Sequence, residues 1–322
     1  MFVLASSGLA GRALPAPGQG CRREVGRDRI RRGGCSAPLD VSLPGDKAAE
    51  EHMIDLGLAG KIAVVAGAGY IPERAGHGRL CSLRLAQAGA SVACMDVDAA
   101  RANEIADEVR SLGVAALPIV ADMTDQADVA RAFDEADTAL GPIDVCVDII
   151  GGAKWAGVLD TSCSDWDWTL RNNLSHVFYV FQAAARRMAA TRRGGSIIAI
   201  ASVDGIHAAT MHAPYGAAKA GVISLVKTFA AELGCHGIRV NAVAPGNVGT
   251  GNEDQPDNQW AVDPVNPLAP PRTRDVANAV LFLASSLAER VTGQTLVVDG
   301  GASSRDLWGI DETALQRFID GD

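Results

Sequence analysis

The sequence predicts an α/β fold in which a doubly wound parallel sheet of about seven strands carries helices on both faces. Two observations predict it. Short, almost continuously apolar runs recur from residue 61 onward, a pattern typical of strands that are buried on both faces. The segments between them carry apolar residues three and four positions apart, which is the period of a helix. Strands and helices that alternate in this way form parallel sheets through right-handed crossovers.

The element boundaries follow from these two patterns. Strands are predicted at 61–66, 91–96, 116–121, 144–150, 195–201, 238–244 and 294–298. Helices are predicted at 78–88, 98–111, 126–139, 165–190, 215–233 and 273–288. One stretch, residues 247–272, is rich in Gly, Asn, Asp and Pro and fits neither pattern. Because a long irregular connection inside a domain usually has a function, we interpret it as a substrate loop.

Composition limits the possible functions. The 322 residues are 48% hydrophobic and 21% charged, which is enough apolar material for one large core. The net charge of −9 argues against a nucleic-acid partner, because phosphates would repel the chain. No run approaches the roughly 18 apolar residues of a membrane-spanning helix. The seven cysteines form no CxxC motif, so we predict free thiols, a cytoplasmic location and no metal site.

Residues 1–54 are predicted to be a disordered leader, and residues 55–322 the folded domain. The first 32 residues contain seven arginines against Glu24 and Asp28 and follow neither period, as in disordered segments. Two other interpretations stay open. One is a transit or secretion signal, although the segment lacks an apolar core followed by a cleavage site. The other is a translation start assigned too early, since Met53 opens a natural strand-first domain.

The segment AVVAGAGYIPERAGHG, residues 63–78, begins like a strand that enters a dinucleotide-binding turn. A strict glycine pattern fails because Pro72 stands where the third glycine belongs. If the glycine pattern is instead matched backward from Gly78 at the start of the following helix, it fits, provided that YIPER is an insertion. We therefore predict Gly67, Gly76 and Gly78 as cofactor-binding glycines in a lengthened turn.

Asp96 ends the second predicted strand, 18 residues beyond Gly78. An acid that binds the adenosine ribose stands roughly 20 residues after the turn. A carboxylate there would repel a 2′-phosphate, which favours NAD over NADP. Arg74 and Arg79 leave NADP open as the less favoured cofactor, because either could reach a phosphate if the insertion folds inward.

The segment 201–221, ASVDGIHAATMHAPYGAAKAG, carries the strongest catalytic signal. Tyr215 and Lys219 are four residues apart on a predicted helix and share one face. Ser202 follows an apolar strand, 13 residues before Tyr215. A tyrosine with an ordinary pKa near 10 is a poor base, but a neighbouring ammonium lowers that pKa. We predict a Tyr–Lys proton-transfer pair, with Ser202 bonding the substrate oxygen.

From about residue 56 to residue 302 the chain resembles the classical short-chain dehydrogenase/reductase family. The resemblance rests on the glycine turn, Asp96, ADMTD, RNNLSHVF, Ser202, YGAAK, RVNAVAPGNVGT and VTGQTLVVDGG, in that order. It implies a single-domain Rossmann fold that oxidises alcohols or reduces ketones. It also implies a homotetramer, with helices 165–190 and 215–233 at one interface.

The resemblance assigns a role to each matching residue. Tyr215 would be the general acid/base, Lys219 would bind the nicotinamide ribose and lower the pKa of the tyrosine, and Ser202 would orient the substrate oxygen. Asn173 would hold a water in a proton relay. Further cofactor contacts are implied at Asp122, Met123, Gly151, Pro245, Gly246, Val248 and Thr250.

The chain departs from the family at two points, the lengthened turn and the motif DIIG, residues 148–151, where the family has NNAG. The family's asparagines brace the sheet and the cofactor wall. We expect Asp148 either to replace one brace or to be a strained buried acid.

The predicted function is an NAD(H)-dependent oxidoreductase that interconverts a secondary alcohol and a ketone, with a small-molecule substrate and no nucleic-acid or membrane partner. Two alternatives are kept. An NADPH-dependent 3-oxoacyl-thioester reductase is disfavoured by Asp96, and a non-catalytic, NAD-sensing relative is permitted by DIIG and the altered turn. Trp166 and Trp168 are expected to pack or to form a subunit interface, and His212 to be an ordinary loop residue.

Overall fold

A computed structural model of the chain describes residues 54–71, 76–248 and 268–304. Seven parallel strands form one sheet in the order β3-β2-β1-β4-β5-β6-β7. The strands are β1 (Ile62–Ala66), β2 (Ser91–Asp96), β3 (Ala116–Val120), β4 (Val145–Asp148), β5 (Gly195–Ile200), β6 (Ile238–Pro245) and β7 (Thr295–Val298). The predicted doubly wound sheet is confirmed.

Helices connect successive strands. They are α1 (His77–Gln87), α2 (Ala99–Ser111), α3 (Gln126–Leu140), α4 (Cys163–Leu170), α5 (His176–Thr191), α6 (Ala213–Leu233) and α7 (Thr273–Ala284). Asp98 and Asp125 accept hydrogen bonds from the first turns of α2 and α3, which satisfies amides that a helix start leaves unpaired. No helix in the described part of the chain is long and apolar enough to cross a membrane.

The core has one apolar layer on each face of the sheet. Successive residues of β1 alternate between them, so that Val64 joins one layer and Val65 the other, as the strand period requires. Phe133 of α3 and Phe181 of α5 belong to the first layer. Leu85 of α1 lies in the second, together with buried residues of α2 and α7. Both faces of the sheet are therefore covered.

The strand order reverses at β1, which pairs with β2 on one side and with β4 on the other. Ala66, the last residue of β1, is paired with Met95 of β2 and with Asp148 of β4. Loops that leave these carboxyl ends diverge and open a crevice, which is where ligands bind in sheets of this kind.

Among the predicted boundaries that differ from the structure, three have a clear structural reason. The predicted helix 165–190 is two helices, α4 and α5, joined by a π-helical turn at Arg171–Ser175. The predicted helix 273–288 ends at Ala284, because Ser285 is extended and starts a separate 3₁₀ turn. The predicted strand 144–150 ends at Asp148, where the chain turns toward the crevice.

Candidate active site

The glycine turn lies at the reversal point of the sheet. Gly67 has a φ of +82° and Gly76, which precedes α1, a φ of +65°, values that favour glycine. Gly78 lies in the first turn of α1, where an added Cβ would be 2.0 Å from the carbonyl oxygen of Gly67. The three predicted glycines therefore let the strand end and the helix start pack closely. Residues 72–75, including most of the predicted insertion, lie outside the described residues.

A cavity of about 580 Å³ opens beside this turn, within the usual size of small-ligand sites. It brings together seven predicted cofactor residues: Gly67, Gly76, Gly78, Asp96, Asp122, Met123 and Gly151. The helix α1 starts there without a side-chain cap, and the first amides of a helix can bind an anion. Helix start and glycine positions thus fit the pyrophosphate of a dinucleotide.

Asp96 links the glycine turn to the start of α2 through its two carboxylate oxygens. The Oδ2 atom accepts a hydrogen bond of 3.0 Å from the amide of Gly69, and Oδ1 accepts bonds of 3.1 and 2.7 Å from Arg101. Gly69 was not among the predicted cofactor residues, yet an added Cβ there would meet Asp96 at 2.3 Å. Arg101 was also missed, because it lies two residues inside the next helix. Both residues line the cavity.

The cation beside Asp96 is therefore Arg101. Arg79 instead bonds Glu108 of α2, with its Nη2 atom 2.7 Å from the carboxylate, and its guanidinium lies over the Tyr70 ring. The expectation that Arg79 could reach a 2′-phosphate is not supported by this placement. Arg74 lies outside the described residues.

The residues predicted on the nicotinamide side follow the end of β6. The amide of Gly246 donates to Val298 of β7, and an added Cβ at Gly246 would lie 2.7 Å from the Asp299 Cβ. Pro245 is buried, and Val248 packs against the second apolar layer. These three residues are not part of the 580 Å³ cavity lining. Thr250 and residues 249–267 of the predicted substrate loop lie outside the described part of the chain.

Ser202, Tyr215 and Lys219 meet above the carboxyl end of β5. Ser202 follows that strand, and its Oγ atom accepts a hydrogen bond of 3.1 Å from the amide of Asp204. Lys219, one helical turn beyond Tyr215, is 2% exposed. Its Nζ atom donates a 2.7 Å bond to the carbonyl of Ile200 and lies 5.6 Å from the centre of the Tyr215 ring.

The pKa of Tyr215 differs from the prediction. Burial, and to a smaller extent the charge of Asp204, raise this pKa to about 12, against the opposing effect of the Ser202 hydroxyl. The net shift is therefore opposite to the predicted lowering, because desolvation of the phenolate dominates in the protein alone. Burial also lowers the pKa of Lys219, to about 8.

Asn173 lies in the π-helical turn and is fully buried. Its Nδ2 atom donates to the carbonyls of Gly152 at 2.6 Å and Thr169 at 2.8 Å, while Oδ1 accepts from the amide of Gly152. The side chain thus braces the segment that follows β4, and both amide hydrogens are committed. Its role in holding a water stays a prediction.

A second cluster borders Tyr215. His212 contacts Asp204 through Nδ1 at 2.5 Å and stacks on Trp155 with ring centres 3.8 Å apart. Trp155 also meets the Tyr215 ring edge-on at 5.6 Å. His212 is therefore not an ordinary loop residue. Its pairing with Asp204 joins residues eight apart in an irregular segment, where no sequence period marks a contact.

Trp168 differs from its expected surroundings, whereas Asp148 is a buried acid, as one of the two expectations for DIIG had it. Trp168 was expected in packing or at an interface, but it lines the cavity. The Lys154 ammonium lies over its ring, 5.0 Å from the ring centre. Asp148 of DIIG pairs with the buried His176 of α5. Among the described residues no group of three His, Cys, Asp or Glu side chains is placed to hold a metal ion.

Comparison with known proteins agrees with this geometry. Residues 72–303 match the family model described as enoyl-(acyl carrier protein) reductase. The short-chain dehydrogenase/reductase eriH of Hericium erinaceus is 36% identical over 250 residues, covering 74% of this chain and 96% of that protein. The chain belongs to the classical short-chain dehydrogenase/reductase family. Members of this oxidoreductase family act on CH–OH groups with NAD(P)(H).

Two further relatives bear on substrate and cofactor. The 3-oxoacyl-acyl-carrier-protein reductase FabG of Thermotoga maritima is 34% identical over 249 residues, covering 76% of this chain and 98% of that protein. A 7α-hydroxysteroid dehydrogenase, solved in complex with NADH and 7-oxo glycochenodeoxycholic acid, aligns with a TM-score of 0.68 at 32% identity. The alignment covers 77% of this chain and 96% of that structure.

Proposed function

We propose that this protein is an NAD(H)-dependent oxidoreductase that interconverts a secondary alcohol and a ketone. The observation that carries the proposal is the convergence of Ser202, Tyr215 and Lys219 at the end of β5. These side chains come from a strand end and from two turns of α6, and the glycine turn lies at the end of the nearby β1.

The cavity residues would hold the dinucleotide. The turn at Gly67, Gly76 and Gly78 and the first amides of α1 would bind the pyrophosphate, and Asp96 the adenosine ribose. Asp122 with Met123 would border the adenine, and Gly151, Lys219 and the segment from Pro245 to Thr250 would contact the nicotinamide side. When bound, the nicotinamide supplies the hydride donor or acceptor.

Tyr215 would exchange the proton of the substrate hydroxyl, while Ser202 donates a hydrogen bond to the same oxygen. Because burial raises the pKa of Tyr215 to about 12, the phenol is protonated at neutral pH. It therefore starts as a proton donor to a ketone oxygen, which suits the reductive direction. Oxidation requires the phenolate, which a charged Lys219 nearby would stabilise.

Cofactor preference depends on Asp96 and Arg101. The carboxylate lines the cavity; beside the adenosine of a bound dinucleotide it would repel a 2′-phosphate, which favours NAD. Titration of nicotinamide fluorescence with NADH and NADPH, on wild type and Asp96→Ala, tests this assignment. NADH should bind more tightly than NADPH and should lose that advantage in the variant. Equal binding of NADH by both proteins would contradict the role of Asp96.

A second candidate is an NADPH-dependent 3-oxoacyl-thioester reductase. The guanidinium of Arg101, 2.7 Å from Asp96, favours it, as does the similarity to FabG. NADPH preference together with reduction of a 3-oxoacyl thioester would support this candidate. A non-catalytic, NAD-sensing relative is the third, and NADH binding without turnover of any alcohol or ketone would support it.

We also propose a cytoplasmic homotetramer. The five cysteines of the described residues are free thiols, as expected in a reducing compartment. Phe178 on α5 is 39% exposed and packs edge-on against Phe229 of α6, which provides apolar surface on the two helices expected at one interface. Sedimentation equilibrium tests the assembly, and a monomer at micromolar concentration would contradict it.

A further inference from the structure

A buried acid and a buried histidine lie together behind the candidate catalytic residues. Asp148, the last residue of β4, is 2% exposed, and His176, the first residue of α5, is fully buried. The Nε2 atom of His176 lies 3.2 Å from each carboxylate oxygen, and its contact with Oδ1 is a hydrogen bond. Asp148 Oδ1 also accepts a 3.2 Å bond from the amide of Ile150. A carboxylate this deeply buried needs such partners.

This pair lies at the same end of the sheet as Lys219. Asp148 pairs with Ala199 of β5, and the next residue of that strand, Ile200, accepts the hydrogen bond from Lys219. Gly151, three residues after Asp148, lies so close to Lys219 that an added Cβ would be 3.5 Å from Nζ. The carboxylate and the ammonium thus occupy neighbouring positions beneath the cofactor crevice.

Burial alone makes a charged Lys219 costly. Desolvation lowers its pKa to about 8, and the charge of Asp148 opposes that shift. Three other groups surround the ammonium or the tyrosine that it serves. His77 of α1 is disfavoured as a cation, since burial and Lys219 lower its pKa to about 4. Tyr215 is a neutral phenol at neutral pH, and the charge of Asp204 raises the pKa of Tyr215. Among the described residues, Asp148 is the opposite charge that raises the pKa of Lys219.

We propose that Asp148, held by His176, is a positioning residue that keeps Lys219 charged in its buried site. The inference rests on the proposed function for the role of Lys219. It also accounts for the departure from the family motif, because an asparagine at this position could brace the chain but could not supply a charge. The single carboxylate then has a structural bond to Ile150 and an electrostatic effect on Lys219.

The test is the titration of Lys219 itself. The sequence contains five lysines, Lys47, Lys61, Lys154, Lys219 and Lys227, so lysine labelled with ¹³C at the ε carbon gives few signals, and Lys219→Arg assigns the relevant one. In Asp148→Asn the titration midpoint of Lys219 should fall by about one pH unit. At a given pH this corresponds to a tenfold lower ratio of charged to neutral lysine. The measurement needs neither cofactor nor substrate.

Asp144→Asn is the matched control. Asp144 is also a buried carboxylate, but it precedes β4 at the opposite end and bonds Lys61 at 3.2 Å and Arg193 at 2.9 Å. Its substitution should change the Lys61 signal and leave the Lys219 midpoint unchanged. His176→Asn, which keeps the carboxylate but removes its side-chain partner, should lower the Lys219 midpoint in the same direction. Asp148→Asn combined with His176→Asn should match Asp148→Asn alone.

Activity provides the second readout. The substrate is the best ketone found in a screen. If Lys219 must be charged, the high-pH limb of the kcat profile should move to lower pH in Asp148→Asn by about one pH unit, as the Lys219 midpoint does. A bracing role alone would reduce kcat without moving the limb. An unchanged Lys219 midpoint in folded Asp148→Asn, or in His176→Asn should the first variant not fold, would overturn the inference. An unchanged midpoint in an active enzyme would overturn this inference but leave the proposed function intact. A wild type without turnover would contradict the proposed function, while the Lys219 titration would still test the inference.

Discussion

Replacing Gly78 with alanine should damage both folding and cofactor binding. An added Cβ would lie 2.0 Å from the carbonyl oxygen of Gly67 and 2.9 Å from two backbone atoms of Ala68. An ordinary contact needs more than 3 Å, so the start of α1 and the turn would have to separate. Because the obstacle is backbone rather than a flexible side chain, neither partner can yield easily. Overpacking of this kind costs about 1–3 kcal/mol.

The same separation moves the first amides of α1 away from the predicted pyrophosphate position. We expect Gly78→Ala to lose about 1–2 kcal/mol of unfolding free energy, because the helix preference of alanine offsets part of the clash. The dissociation constant for NADH should rise at least about tenfold, equivalent to 1.4 kcal/mol. Urea unfolding measures the first quantity and nicotinamide fluorescence the second.

Gly234→Ala is the matched control for the same chemical change. Gly234 has a φ of −56°, and an added Cβ there would meet no atom within 4 Å. This variant should bind NADH like wild type and be unchanged or more stable by up to about 1 kcal/mol. If Gly78→Ala and Gly234→Ala are equally stable and bind NADH equally well, the glycine turn is not the cradle described above.

Four further substitutions test the chemistry. Tyr215→Phe should keep NADH binding and lose at least about 10²-fold in kcat, the usual contribution of a positioned acid or base; retained turnover would contradict its role. Asp204→Asn removes a charge that raises the pKa of Tyr215, so the low-pH limb of alcohol oxidation should move to lower pH. His212→Gln removes the contact between His212 and Asp204 but keeps the Asp204 charge, so it should not move the low-pH limb of alcohol oxidation to lower pH. Arg101→Ala should weaken NADPH binding about tenfold more than NADH binding, and equal losses would exclude Arg101 from phosphate recognition.

The sheet and the placement of the glycines between β1 and α1 could be predicted from the sequence, because each depends on local patterns. Asp96 ends β2 at the predicted residue, since a polar residue after an apolar run marks the point where a buried strand reaches solvent. Gly78 was identifiable because strand, helix and acid were correctly ordered around it. These signals are periodicity and spacing, which a single sequence carries.

The contacts that tune the site depend on tertiary structure instead. Asp148 and His176 are 28 residues apart, and no spacing rule links a strand end to the start of a distant helix. The π-helical turn adds one residue to a helix whose apolar period continues on both sides, so 165–190 reads as one helix. The pKa of Tyr215 depends on how deeply the ring is buried, which the Tyr–Lys spacing does not reveal.

The most direct test of the proposed function is transfer of deuterium from NADH carrying deuterium at C4 of the nicotinamide. The ketone that gives the fastest turnover in a screen serves as substrate, and mass spectrometry of the alcohol locates the label. The proposal predicts one deuterium on the new carbinol carbon with wild type and almost none with Tyr215→Phe. An alcohol without that label, or no ketone reduced although NADH binds, would contradict it.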